Sequence, residues 1–199
     1  KMPKQKLIIF SKNPVSGKVK TRLAATVGNA NALKVYHKLL EHTARITGAL
    51  NIPKVVYYSH EVEQRDAFAP VDFEKKVQQG NDLGERMRKA FSAELSAADE
   101  ILIIGSDCYE LQTHHLKHAF SLLRENDAVI GPAKDGGYYL LGMKKVLSEI
   151  FQNKDWGKSE VFEDTMQDFK ELQLNIAVLP ELNDVDREED LGSLREVIS

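Results

Sequence analysis

The residues of this 199-residue chain that could do chemistry gather in a few short segments. The first reads Ser11-Lys12-Asn13-Pro14-Val15-Ser16-Gly17-Lys18-Val19-Lys20-Thr21-Arg22-Leu23. It puts four cations, Lys12, Lys18, Lys20 and Arg22, into eleven residues of a chain whose net charge is −3. Pro14 and Gly17 shape the backbone between them, and Thr21 adds a hydroxyl. Lys and Arg beside a glycine turn suit a phosphate, which accepts charge-assisted hydrogen bonds. The segment is not a Walker A loop, which needs glycine where Lys12 stands and Ser or Thr where Val19 stands. Nor is it G-x-G-x-x-G. The plainer alternative is a solvated basic loop.

Carboxylates supply a second chemistry. Gly105-Ser106-Asp107-Cys108 follows the most apolar run of the chain, Ile101–Ile104. A carboxylate there is costly unless it is solvated, hydrogen-bonded or bound to metal. Asp107 could hold Mg²⁺ or Mn²⁺ through oxygen, or cap a helix starting near Gln112 or Thr113. Asp135 precedes the pair Gly136-Gly137, whose lack of side chains would let backbone approach a ligand; an Asp-Gly hairpin turn explains the same letters. Asp184 and Asp186 stand before the last expected helix, either as caps or as metal ligands. Asp82 reads as the cap of a helix beginning at Leu83, with Glu85 completing a capping box, in a Gly-flanked segment that could also face a nucleotide.

Other conspicuous residues point less far. His114 and His118 share a helix face, but no third metal ligand stands near them in sequence. Cys108 has no paired histidine and reads as a small buried residue. Trp156, in a loop before another helix, could stack on a sugar or base or plug the core.

These segments need elements to position them. Leu7–Phe10, Lys54–Ser59, Ile101–Ile104, Ala128–Ile130, Tyr138–Leu141 and Ile176–Leu179 read as strands. Their continuous apolar character suits burial on both faces, as in a parallel sheet. Between them lie amphipathic helices, marked by Leu33, Tyr36, Leu39, Leu40 and Ala44, by Leu83, Met87, Ala90, Phe91 and Leu95, and by Leu116, Ala119, Phe120 and Leu123. This alternation predicts an α/β sandwich with a mostly parallel sheet, built as a single domain over residues 1–199. Ligands of such sheets bind beyond the carboxyl ends of the strands, where the loops after Phe10, Ile104 and Ile130 should meet.

Composition closes off other classes. With 42% hydrophobic and 29% charged residues the chain is globular. No apolar window is long enough to span a membrane, and Leu7–Phe10 is too short for the core of a secretion signal. The acidic balance argues against a nucleic-acid partner. A lone cysteine excludes an intrachain disulfide and a cysteine zinc site, and fits a cytoplasmic location.

Four motifs stand in order: Lys-x-Pro-x-x-Gly-x-Val-Lys-Thr-Arg-Leu at 12–23, Gln-Gly-x-Asp-Leu-Gly-Glu-Arg-Met at 79–87, Gly-Ser-Asp-Cys at 105–108, and Gly-Pro-Ala-x-Asp-Gly-Gly-Tyr-Tyr-Leu-x-Gly at 131–142. Together they resemble a bacterial nucleotide-diphospho-sugar transferase-like family that includes candidate arsenosugar-biosynthesis glycosyltransferases. The resemblance covers nearly the whole chain. It implies a Rossmann-like GT-A fold, a three-layer sandwich shared by metal-dependent glycosyltransferases and by nucleotidyltransferases. In that superfamily the loop after the first strand holds the nucleotide, which maps to Lys12, Gly17, Lys18, Lys20 and Arg22. An aspartate after a central strand holds the metal, which maps to Asp107. One departure is Tyr109, where the family usually has proline; it should loosen that loop or alter the acceptor side.

The resemblance implies glycosyl transfer from a nucleotide-diphospho-sugar to a small-molecule acceptor, with Mg²⁺ or Mn²⁺ as cofactor. The four cations would neutralise the diphosphate. Asp107, with one of Asp135, Asp184 or Asp186, would hold the metal. In an inverting transfer Asp135 would take the acceptor's proton. Two alternatives stay open: nucleotidyl transfer, which releases pyrophosphate, and a nucleotide-binding protein that turns nothing over.

Overall fold

The structure is a computed structural model and describes all of residues 1–199. Its strands are β1 (Gln5–Ser11), β2 (Lys54–Tyr58), β3 (Glu74–Val77), β4 (Glu100–Ile104), β5 (Ala128–Pro132), β6 (Tyr138–Met143) and β7 (Ile176–Val178). Its helices are α1 (Thr21–Val27), α2 (Asn29–Gly48), α3 (Leu83–Leu95), α4 (Thr113–Glu125) and α5 (Val161–Glu171). One sheet runs in the order β3-β2-β1-β4-β6-β5-β7. Every neighbouring pair is parallel except the two that involve β6. This is the expected α/β sandwich with a mostly parallel sheet.

Successive strand residues point to opposite faces, so each apolar run feeds two cores. Leu7, Ile9, Leu102, Ile104 and Val129 pack with α2 and α4. Ile8, Ile101, Ile103, Ala128 and Ile130 pack with α3, α5 and the 3-10 turn Ser148–Phe151. Helices therefore cover both faces, giving three layers. No helix is long and apolar enough to cross a membrane.

Some elements differ from expectation. β3 reads Glu-Lys-Lys-Val and lies at the sheet edge, where charge discourages strand pairing between molecules and also hides the strand from an apolar-run search. The basic segment is not all loop: α1 begins at Thr21, so Arg22 stands on a helix. The chain does not end in an α-helix but in two 3-10 turns, Glu188–Asp190 and Gly192–Val197, separated near Gly192 with its left-handed φ of 51°. The capping box at α3 is offset: Glu85 N–H donates to Asp82 at 2.8 Å, but Glu85's own carboxylate accepts from Asn81 N–H rather than from Asp82.

Because β6 runs against its neighbours, its start lies at the same edge as the carboxyl ends of β1, β4, β5 and β7. Four segments meet there: residues 12–22, 105–110, 133–137 and 182–187.

Candidate functional site

Backbone hydrogen bonds hold these segments together. Leu182 N–H donates to Pro132 O at 3.1 Å, and Lys134 N–H donates to Leu182 O at 2.9 Å. On the other side Val185 N–H donates to Asp107 O at 2.9 Å, and Asn183 N–H reaches the Glu110 carboxylate. The stretch around Asp184 is thus clasped between the Asp107 loop and the Asp135 hairpin. Its own curvature comes from Asp190, whose carboxylate accepts from Asp186 N–H, Arg187 N–H and the Asn183 amide. Asp190 is the capping carboxylate expected at Asp184 or Asp186.

The basic segment joins this group from one side. Lys20 Nζ lies 2.8 Å from Asp107 and donates to Val185 O at 2.6 Å. Its side chain is only 7% exposed, against 47% for Asp107. The Lys20 backbone sits in the left-handed region at φ 52°, a conformation a lysine adopts only when its surroundings hold it. Arg22 pairs with Asp186 at 2.9 Å, both groups at the surface. Lys12 and Lys18 are exposed and have no ion-pair partner. The cations expected as one cradle thus divide: two tie the segment to carboxylates, and two are free.

Asp107 does not cap α4. Gln112 occupies that position, and its N–H donates to His115 Nδ1 at 2.8 Å. Asp135 is exposed, and one of its oxygens accepts from Gly137 N–H at 2.9 Å within the β5–β6 hairpin turn. The segment is an Asp-Gly turn, and it stands beside the other carboxylates. Gly136, however, spends its freedom inside the protein. At φ 95° a side chain there would overlap the Ser159 backbone, and Gly136 O accepts from Phe162 N–H. Its closeness is to Ser159 and not to an open ligand space.

Asp184 has the most perturbed carboxyl of the group. Burial first, then the negative charges of Asp107 and Asp135, push it up to about 7; Lys20 pulls the other way and Asp186 adds to the push. Four carboxylates, Asp107, Asp135, Asp184 and Asp186, therefore face three paired cations, Lys20, Arg22 and, at 4.0 Å from Asp186, Arg187, an imbalance of one negative charge when all are ionised. No three His, Cys, Asp or Glu side chains converge on one metal-sized point. The donor chemistry still fits Mg²⁺ or Mn²⁺ held by one or two of these carboxylates, with phosphate and water completing the shell, which is the ordinary habit of such ions. Asp184 has no ion-pair partner, while Asp107 and Asp186 each give one oxygen to a cation, Lys20 and Arg22 respectively.

Asp82 is not part of this group. It caps α3 and lines a separate polar cleft of about 680 Å³ with Glu85, Arg88, Phe151, Gln152, Asn153, Lys154 and Asp155. Nearby Trp156 packs over Gly84 and belongs to the second core, so it plugs rather than presents an open ring. His114 and His115 stack on each other at 4.1 Å, and no metal set includes them. Tyr109 packs its ring on His42 of α2 at 4.8 Å. Burial raises the Cys108 thiol to about 12, which keeps it protonated and unreactive.

Two contributors escape a search for charged residues. Asn13 is buried; its oxygen accepts from Ser59 Oγ, His60 N–H and Glu61 N–H, and its amide donates to Glu61 O, anchoring the start of the basic segment to the end of β2. Tyr36 of α2 is buried with its hydroxyl at the backbone of Lys12 and beside Ser106. In the sequence it counts only as one apolar position in a helical stripe.

Comparison with known proteins agrees with this architecture. A structure of a candidate nucleotide-diphospho-sugar transferase from Desulfovibrio desulfuricans G20 is 33% identical, with a TM-score of 0.87 over 97% of this chain and 87% of that one. The inositol-1-phosphate CTP transferase of T. maritima superposes at 0.63 with 14% identity over 99% and 96% of the two chains. Rv0371c of Mycobacterium tuberculosis H37Rv, in complex with manganese, superposes at 0.59 with 12% identity over 98% of each. At such identities the last two likenesses concern the fold alone, which is that of the nucleotide-sugar and nucleotidyl transferases. No curated protein matches the sequence. Residues 42–158 match the family described as "uncharacterized protein conserved in bacteria", DUF2064, and with more than half of its length inside that match the chain belongs to this family.

Proposed function

We propose that the chain is a metal-dependent glycosyltransferase that takes a nucleotide-diphospho-sugar as donor. The observation that carries this reading is the pairing pattern at the sheet edge: Lys12 and Lys18 are free, and they stand on the loop tied to an under-neutralised carboxylate group. Two free cations suit the two phosphates of a diphosphate bridge. The likeness to a candidate nucleotide-diphospho-sugar transferase supports the same reading.

In this reading Lys12 and Lys18 bind the diphosphate, while Gly17, with its φ of 80°, lets the loop turn between them. Asp107 and Asp184 would hold Mg²⁺ or Mn²⁺, which when bound offsets the charge that builds on the departing nucleoside diphosphate. Lys20 fixes Asp107 and the 185 backbone in place. Asp135, exposed at the rim, has an oxygen free to accept the acceptor hydroxyl's proton in an inverting transfer. Gly136 and Gly137 shape the turn that presents Asp135 and need not touch nucleotide. Asp82 supports α3.

Incubation of the protein with nucleotide sugars or nucleoside triphosphates and Mn²⁺, with analysis of the released product, tests the proposal. Release of nucleoside diphosphate that is lost in Asp107→Asn supports glycosyl transfer. Release of pyrophosphate from a triphosphate replaces it with nucleotidyl transfer. Metal-dependent binding with no product from either set leaves a nucleotide-binding protein.

A further inference from the structure

The loop that carries Lys12 and Lys18 is held at its root by something other than charge. Lys12 N–H donates to Tyr36 Oη at 2.9 Å, and Tyr36 O–H donates back to Lys12 O at 2.9 Å. Ser106 Oγ lies 3.3 Å from the same phenol oxygen, and Ser11 Oγ lies 3.4 Å away. The donor count closes. The one phenol proton goes to Lys12 O, its oxygen accepts from Lys12 N–H and from Ser106, and Ser11 donates to Lys12 O at 3.3 Å. Tyr36 and Ser106 are both buried, so neither can exchange these partners for water without opening the core. Ser106 directly precedes Asp107.

We propose that Tyr36 is a positioning residue: one hydroxyl locks the root of the phosphate-facing loop to the Asp107 loop, so that Lys12 and Asp107 are presented as a single unit. This rests on the functional reading above for what the unit binds. Its mechanical part stands on the contacts alone. The strands β1 and β4 are already paired up to Ile9 and Ile104, but that ladder ends before Lys12 and Ser106. Beyond it, the phenol is the side-chain bridge between the two loop roots, with the Lys20–Asp107 pair closing the far end. A helix residue thereby sets the spacing between two loops that are far apart in sequence.

Tyr36→Phe keeps the buried ring and removes the hydroxyl's bonds to Lys12 and Ser106 together. Amide exchange should quicken about tenfold in 105–108, which loses one hydrogen bond, and at least as much in 12–18, which loses two, while the central residues of β1 and β4 keep their protection. Ser106→Ala should quicken exchange in 105–108 alone. With Mn²⁺ present, the Kd for whichever of UDP, GDP, ADP or CDP binds the wild type most tightly should rise about tenfold in Tyr36→Phe. Val35→Ala, a neighbouring core variant on the same helix, destabilises the fold while removing no hydrogen bond from either loop root and should leave that Kd within about twofold. Unchanged exchange in either loop of Tyr36→Phe overturns the proposal, as does an equal loss of affinity in Val35→Ala. A wild type that binds none of the four nucleotides overturns the functional reading instead, and coupled loosening of the two loops would still support the bridge.

Discussion

Asp184 is strained by its own site, and replacing it should stabilise the protein. Its carboxyl is raised from an ordinary 3.8 to about 7 by burial and by the charges of Asp107 and Asp135. Above that pH it is ionised in both the folded and the unfolded chain, and the folded chain bears the unfavourable charge. A gap of about three pH units at about 1.4 kcal/mol each sets a ceiling of about 4 kcal/mol. Well below pH 4 the group is protonated in both states and the cost vanishes. Between these limits the folded chain keeps a proton that the unfolded chain has released, so this group's contribution to stability falls as pH rises. Asp184→Asn keeps the shape and removes the charge. It also gives up the attraction to Lys20, so a gain of about 2 kcal/mol at about pH 8, or 4–8 °C in Tm, is the expected size. Urea unfolding of both proteins in the presence of a chelator, at about pH 8 and about pH 5, measures it. The gain should shrink to under about half at the lower pH, following the shape of the titration. A variant that is less stable than wild type at pH 8, or equally stabilised at both pH values, refutes the reasoning.

Three further outcomes follow from the contacts. Lys12→Ala and Lys18→Ala should each weaken nucleotide binding about tenfold while leaving Tm nearly unchanged, because neither cation has a partner to lose; calorimetric titration and thermal melts check both halves. Lys20→Met should lower Tm as well as affinity, since it strands Asp107 and the Val185 carbonyl, and the same two measurements separate it from the Lys12 and Lys18 variants. Gly136→Ala should cost at least about 2 kcal/mol in chemical unfolding, because a methyl at that positive φ overlaps the Ser159 backbone; a neutral result would mean the 159–162 segment yields easily.

What was legible in the sequence was legible for identifiable reasons. Apolar strands such as Ile101–Ile104 are buried on both faces, so their composition alone betrays them, and the loops that follow them then have a known edge to meet at. β3 was hidden because its residues face charge partners instead of a core: Lys75 pairs with Asp66, and Lys76 with Glu94. The candidate site was readable as a set of residues but not as a set of partners. Residue types do not say that Lys20 turns inward to Val185, which lies 165 positions away, or that Asp190 and not Asp184 does the capping. Asn13 and Tyr36 were illegible for a further reason. Each acts through hydrogen bonds to backbone, and backbone groups leave no signature in the letters of the segments they shape.

That redistribution of partners bears on which ligand the site is arranged for. Counted in the sequence, Lys12, Lys18, Lys20 and Arg22 give four positive charges, ample for a triphosphate. Counted in the fold, Lys20 is an internal strut with a buried side chain, bonded to a carbonyl as well as to Asp107, and releasing it would leave two groups unpaired. Arg22 is different. Its pair with Asp186 is exposed, such pairs contribute little, and it could turn toward an incoming phosphate at small cost. The basic segment therefore offers two cations outright and a third on exchange, while the fourth belongs to the protein. A diphosphate satisfies the first two without disturbing any contact. A triphosphate needs the third, and in taking Arg22 it releases Asp186 to join carboxylates that already repel one another. Under the proposed function the segment thus suits the ligand with fewer phosphates, and the difference between the two falls at a single exposed ion pair.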